Sequence, residues 1–198
     1  MLEEPREPPG NKTTYLRTVN WFGLAAGAMM LVLPFMGAWW YAEVGDSAMR
    51  LELSPFHYSV EILEQPLTSS LVGYFLLGVK LSVLIGGLLL SVGSLATNRW
   101  WGEKLMRFGA TKVLWMVVSF IITLVLGALL LNHVLPAFMS GMLRGGEMSL
   151  NVPYVVGASA STVQVENATL SAPLTLSFTE TFWIAVFTAI LGLSLIHI

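Results

Sequence analysis

One unbroken apolar stretch, residues 70–96, constrains this chain more than any other feature. It reads SLVGYFLLGVKLSVLIGGLLLSVGSLA, and Lys80 is its only charged residue. About 20 apolar residues in a helix, rising 1.5 Å each, match the roughly 30 Å hydrocarbon core of a bilayer. The stretch therefore predicts a transmembrane helix that carries one cation inside the membrane.

Small residues recur on two faces of this predicted helix. One face carries Gly73 and Gly87, each seven residues from Lys80. The roughly opposite face carries Gly78 and Gly86. Small side chains let helix backbones approach closely in lipid, where packing drives association. We therefore predict a central helix with neighbours on both sides, packed through Gly73, Gly78, Gly86 and Gly87.

The composition supports the membrane class. The chain has 198 residues, of which 55% are hydrophobic and 11% are charged, with a mean hydropathy of +0.72. Globular domains carry about 25% charged residues. The net charge of −2 gives no reason to expect nucleic acid as a partner. Because the chain has no cysteine, disulfides, thiolate metal sites and cysteine nucleophiles are excluded.

Polar and apolar segments alternate along the whole chain. Gly23 and Gly27 provide a small-residue contact in the first apolar segment, and Trp39, Trp40 and Tyr41 predict an aromatic belt at its outer end. The predicted segments are a polar tail (1–20), a first span (21–42), an outer hairpin loop (43–69), a second span (70–97), a basic and aromatic inner loop (98–112), a third span (113–135), a second outer loop (136–179) and the start of a fourth span (180–192). The inner loop is expected to be an interfacial loop or a short amphipathic helix that lies on an anionic leaflet.

Both outer loops carry strand signals. In the first, apolar residues alternate with polar ones over 49–53 and again over 56–62, on either side of Ser54-Pro55, which predicts a β-hairpin. The second has strand signals at 154–156, 163–165 and 174–178. A hairpin alone is marginal in water. We therefore expect the two loops to combine into one small β-sheet, with each loop burying its apolar face.

The positive charges predict the orientation. Seven of the ten basic residues lie in the tail and the inner loop, whereas the two outer loops hold only Arg50 and Arg144. Because cytoplasmic loops carry an excess of Lys and Arg, we expect a multi-pass protein of the cell membrane with a cytoplasmic N-terminus. Both strand-bearing loops are then extracytoplasmic.

The predicted fold is a membrane α-helical bundle of four transmembrane helices, the last one truncated, with a small extracytoplasmic β-sheet formed by the two outer loops. Four spans with a strand-rich first outer segment resemble claudin-type tetraspan proteins in layout. The paired cysteines of the claudin outer loop are absent, and the second outer segment is longer here. The resemblance is therefore one of architecture, and no function is carried over from it.

The last six residues, Leu193 to Ile198, read LSLIHI. This matches the translation of a transposase end sequence used to prepare sequencing libraries, so we expect residues 193–198 to be an adapter scar. A natural ending in His-Ile is the alternative. On either reading, His197 carries no functional prediction.

Lys80 is the sharpest candidate for function. A lysine at mid-membrane costs about 2.5–3.5 kcal/mol on insertion scales, so it should be paired or reach water. We expect a partner in the outer half of the bundle: Glu64, Glu180 or Asn132. Three interpretations stay open: a satisfied structural lysine, a docking point for a carboxylate of a partner subunit, or an ion or proton site. A polar path for an ion would use Ser82, Ser91, Ser119 or Thr123.

Other candidate sites are weaker. His57 and His133 are too few for a zinc or copper centre, and an interfacial histidine of this kind is expected to be a polar cap. Asn132 and His133, near the far end of the third span, stay candidates for a partner or ion site with Lys80. Met139, Met142 and Met148 leave a Cu(I) site as a minor alternative, and no cofactor or metal is predicted. Asn167-Ala-Thr169 is a glycosylation sequon on the predicted outer side.

No nucleotide-binding loop, nucleophile elbow or pair of carboxylates lies within a span. We therefore expect a non-enzymatic accessory, assembly or cell-envelope interaction subunit, with the bilayer and a protein partner or a second copy as its contacts. The alternative is a subunit of a transporter or channel that uses Lys80.

Overall fold

The computed structural model describes residues 19–45, 48–63, 65–134, 148–149, 152–165 and 168–194. The helices are α1 (Trp21–Val32, continued by a 3-10 turn at Leu33–Phe35), α2 (Ser70–Leu95), α3 (Trp100–Leu129, continued by a π turn at Leu130–Val134) and α4 (Glu180–Ser194). The strands are β1 (Trp40–Val44), β2 (Met49–Leu53), β3 (Tyr58–Ile62), β4 (Gln65–Leu67), β5 (Met148–Ser149), β6 (Gly157–Val165) and β7 (Ala168–Phe178).

Two helices are long and apolar enough to cross a membrane. They are α2, with 26 residues, and α3 with its π turn, with 35 residues. Helix α1 with its 3-10 turn and helix α4 are apolar but shorter, with 15 residues in α4. The predicted second span therefore coincides with a helix of the expected length.

Glycines bring α2 into close contact with α1 on one side and α3 on the other. A Cβ added at Gly87 would lie 3.2 Å from the carbonyl oxygen of Gly27, and one added at Gly109 would lie 2.7 Å from that of Gly86. Gly23 is buried in α1. Gly27 and Gly87 thus lie against each other's backbone, where a larger side chain would not fit, and Gly86 packs against the Met30 side chain.

Gly73 and Gly78 make no close helix contact within the described part of the chain, so their expected packing stays a prediction. A Cβ added at either glycine would have nothing within 4 Å. Gly78 lines an open groove between α2 and α3, whereas α1 has already ended at Phe35, whose ring lies 5.2 Å from the ammonium of Lys80, before it reaches Gly73. The turns of α2 beyond Lys80 therefore have no α1 residue beside them.

The first span is shorter than predicted, and the aromatic belt at its end does not form. Pro34 lies in the 3-10 turn, Gly37 takes a positive φ of 88°, and β1 begins at Trp40. Trp39 is fully buried, with its ring in edge contact with Phe120 at 5.4 Å. An aromatic cluster at a helix end indicates either an interfacial belt or a core, and here it forms the core.

The two loops form one antiparallel sheet, as predicted. The strand order is β4-β3-β2-β1-β7-β6-β5. The β2–β3 hairpin has the expected register, with Leu53 opposite Tyr58, and β1 joins the two loops by pairing with β7. Trp40, Ala42, Leu174 and Leu176 are buried on one face and belong to the same hydrophobic core as the helices.

The predicted inner loop at 98–112 is almost entirely helical. Helix α3 begins at Trp100, and the connection from α2 is a tight turn in which the Arg99 amide donates to the Ala96 carbonyl oxygen at 3.0 Å. Gly102 lies against the backbone of Ala96, which permits the tight turn. As a consequence, Lys112 lies within a helix that packs against α2, not in an interfacial loop.

Candidate functional site

Lys80 lies half-buried where α1 ends. A cavity of about 260 Å³ beside it is lined by residues from the β2–β3 turn and from α2: Phe56, His57, Tyr58, Gly73, Leu76 and Leu77. The ammonium lies 5.2 Å from the centre of the Phe35 ring. An ammonium over an aromatic face is attracted by the ring quadrupole. The described surroundings of Lys80 are therefore aromatic and polar.

Among the described residues, neither Glu180 nor Asn132 pairs with Lys80. In the part of the chain that the structure describes, ion pairs join Arg50 to Glu52 at 2.7 Å and Arg107 to Glu103 at 3.6 Å. Glu180 is exposed at the start of α4. Glu64 lies outside the described residues.

Asn132 has a different role from the one predicted. Its side-chain amide donates to the Val152 carbonyl oxygen and accepts from the Val152 amide, both at 2.7 Å. This paired contact connects the π turn at the C-terminal end of α3 to the segment that precedes β6. The side chain is therefore structural, and it stands next to His133, which is exposed.

The hydroxyls proposed as a polar path bond mainly within their own helices. Ser119 donates to the Met116 carbonyl oxygen at 3.1 Å, and Thr123 donates to the Ser119 carbonyl oxygen at 2.8 Å. Such bonds to the preceding turn satisfy a hydroxyl locally. Ser82 differs, because it accepts a hydrogen bond from the Lys112 ammonium on the neighbouring helix.

Lys112 is the functional candidate that sequence reasoning missed. Its ammonium lies 5.2 Å from the centre of the Phe108 ring and contacts Ser82 of α2. Assigning 98–112 to an interfacial loop or a short amphipathic helix puts this lysine on the membrane surface. The signal that points to a helix is the absence of proline from residues 98–134, with the apolar run starting directly after Lys112.

Lys112 stands at one end of a groove between α2 and α3. The groove has a volume of about 560 Å³ and is lined by Tyr74, Phe75, Gly78, Val79, Ser82, Val83, Lys112, Trp115, Met116 and Ser119. A second cavity of about 310 Å³ shares Phe75, Val79, Met116 and Ser119 with it and continues to Thr123 and to Ser54 and Pro55 of the β2–β3 turn. The two cavities therefore adjoin.

The remaining candidates add no second site. Within the described ranges, no three His, Cys, Asp or Glu residues are grouped so that they could hold a metal ion. Asn167, Met139 and Met142 lie outside the described residues, as does His197.

Comparison of the chain with models of known protein families finds no match, and comparison with curated protein sequences finds none either.

Proposed function

We propose that this protein is a four-span accessory or assembly subunit of the cell membrane, with its N-terminus in the cytoplasm and its sheet outside. It acts without catalysis, by binding a membrane partner along the outer turns of α2. The observation that carries the proposal is the high exposure of the apolar side chains on those turns. Leu71, Tyr74 and Phe75 are 82%, 74% and 71% exposed.

The outer turns of α2 have the features of a helix-docking surface. Gly73 and Gly78 leave open space that a neighbouring helix can enter. Small residues of this kind are the usual contacts between helices in lipid, where tight packing replaces the hydrophobic effect as the driving force. Because α1 with its 3-10 turn ends at Phe35, it does not extend alongside the outer turns of α2.

Lys80 supplies a charge at the base of this surface. Its cavity is bordered by Gly73, so a partner helix lying over the glycine brings its own side chains close to the ammonium. A carboxylate is the group that an intramembrane lysine favours, because pairing offsets the cost of the buried charge. The favoured partner is thus a membrane helix with an acidic residue at this depth.

The proposed orientation is supported by charge and by the sheet. Arg99, Lys104 and Arg107 cluster where α2 turns into α3, which favours the cytoplasmic side for that turn. The sheet lies towards the opposite ends of the helices, where β1 pairs with β7 between α1 and α4.

Single-cysteine crosslinking tests the docking surface, because the native chain contains no cysteine. We expect Gly73→Cys to give one crosslinked product of defined mass in native membranes. Leu88→Cys is the matched control, since Leu88 is also exposed on α2 but lies on its inner half. The product should disappear when Lys80→Met is added and persist when Lys104→Met is added. Monomer alone from Gly73→Cys would reject the proposal.

A transporter or channel subunit is the second candidate, favoured by two lysines that line cavities beside α2. Flux through reconstituted vesicles separates the two functions. A transport role for Lys80 requires that Lys80→Met reduce the flux, and unchanged flux removes this candidate. Loss of the crosslinked product with unchanged flux supports the docking function.

A further inference from the structure

We propose that the groove between α2 and α3 binds one anionic phospholipid of the inner leaflet, with its phosphate on Lys112 and an acyl chain along the groove. The groove shares Tyr74, Phe75 and Gly78 with the docking surface, but its cation is Lys112 and not Lys80. The lipid site depends on the proposed membrane orientation but not on the existence of a protein partner.

The position of the Lys112 ammonium is the first argument. A Cβ added at Gly86 would lie 3.8 Å from the Lys112 Cβ, whereas the ammonium reaches Ser82, one turn further out along α2. The side chain thus extends along the groove instead of turning back to the nearer membrane surface. An ammonium has three donors. Ser82 accepts one of them, and no carboxylate within the described residues pairs with Lys112.

The depth of Lys112 is the second argument. Helix α3 with its π turn has 35 residues and is therefore about 52 Å long, well beyond the roughly 30 Å hydrocarbon core. Glu103, Lys104 and Arg107 occupy its first turns, and no Asp, Glu, Lys or Arg follows Lys112 before the helix ends. The charged turns fit the interface, which places Lys112 about 7 Å further in by helical rise, within the inner leaflet.

The shape of the groove is the third argument. From Lys112 it extends outward to Ser119 and, through the adjoining cavity, to Thr123, about 16 Å along α3 by helical rise. Its walls are mostly apolar, and Trp115 at its edge is 64% exposed. An inner-leaflet phospholipid has the matching polarity, with the head group on the cytoplasmic side and the chains directed towards the bilayer centre.

Charge complementarity selects an anionic lipid over a neutral one. The cytoplasmic leaflet carries the anionic lipids that attract basic residues near the membrane. Lys112 presents its ammonium to that leaflet from within the groove. A phosphate with net negative charge satisfies the ammonium, whereas a zwitterionic head group brings a cation of its own.

Native mass spectrometry of the detergent-extracted full chain tests the site. The protein is mixed with equal amounts of phosphatidylglycerol and phosphatidylcholine with identical acyl chains. We expect one retained phosphatidylglycerol per chain, in clear excess over phosphatidylcholine. Lys112→Gln should lower this preference about tenfold, the effect of roughly 1.4 kcal/mol in relative affinity. Lys104→Gln, with the same change of charge at an exposed position of α3, should leave it unchanged.

A pair of glycine variants tests whether the groove itself holds the lipid. Gly78 lines the groove and Gly73 does not, and both have open space around an added Cβ. Gly78→Leu should abolish retention, and Gly73→Leu should preserve it. Equal retention of both lipids by the native chain, or an equal effect of the two lysine variants, would overturn the proposal. So would a dimer of the chain that Gly78→Leu dissociates, since a second copy would then fill the groove.

Discussion

Trp40 and Phe178 lie directly opposite each other in neighbouring strands, although 138 positions separate them in the chain. Trp40 opens β1 shortly after α1, and Phe178 closes β7 immediately before α4. Their pairing joins the first and last helices through the centre of the sheet. The helices and the sheet consequently share one core, with Trp39 at the junction.

Trp39 should be the most sensitive position of this junction. Its fully buried ring contacts Phe56, Phe120 and Phe182 at centroid distances of 5.8, 5.4 and 6.2 Å. Trp39→Ala should lower the free energy of unfolding by about 3–5 kcal/mol, the usual cost of emptying such a site. Thermal unfolding in detergent measures this, with the exposed Trp183→Ala as control. A smaller effect at Trp39 than at Trp183 would contradict the assignment.

Trp39→Phe should be much milder than Trp39→Ala. The indole Nε1 of Trp39 is buried and has no hydrogen-bond partner within the described residues. A buried, unpaired donor costs about 1–3 kcal/mol, and phenylalanine removes it while keeping an aromatic ring. We expect a melting temperature close to or above that of the native chain. A drop as large as for Trp39→Ala would show that the indole makes an essential polar contact.

Two glycines of α3 should respond in opposite directions to alanine. At Gly109 a Cβ would lie 2.7 Å from the backbone oxygen of Gly86, so Gly109→Ala must push α2 and α3 apart and destabilise the protein. At Gly127 nothing lies within 4 Å, so Gly127→Ala should raise stability by up to about 1 kcal/mol through helix propensity. Melting temperatures of both variants in the same detergent provide the measurement. Equal shifts would contradict the tight contact.

Removing the Asn132 side chain should loosen the segment before β6. Asn132→Leu abolishes both hydrogen bonds to Val152 and leaves those backbone groups unpaired, at a cost of about 1–3 kcal/mol. Amide hydrogen exchange of residues 152–156 should accelerate, while that of α2 should not change. His133→Ala, at the exposed neighbouring position, is the control and should leave exchange as it is.

Membrane orientation can be tested with single cysteines. Thr175→Cys lies on an exposed position of β7, and Lys104→Cys on an exposed position near the start of α3. A thiol reagent that does not cross membranes should label Thr175→Cys in intact cells and Lys104→Cys only after lysis. The reverse pattern would invert the proposed orientation, and with it the leaflet assigned to the lipid site.

Local features predicted much of this structure. The apolar run at 70–96 identified α2, and alternation around Ser54-Pro55 located the β2–β3 hairpin, because hydrophobic periodicity follows directly from helix and strand geometry. Small-residue spacing also predicted the contacts at Gly27, Gly86 and Gly87. These features depend on residues near one another in sequence.

Tertiary structure decided the rest. A tryptophan suits an interfacial belt as well as a core, so only the packing of Phe120 and Phe182 around Trp39 distinguishes the two. Likewise, α1 ends before it reaches Gly73, and the tight turn after Leu95 places Lys112 beside Ser82. Periodicity shows which face of a helix is small, apolar or charged. What covers that face depends on distant segments, whose lengths and crossing points no local pattern contains.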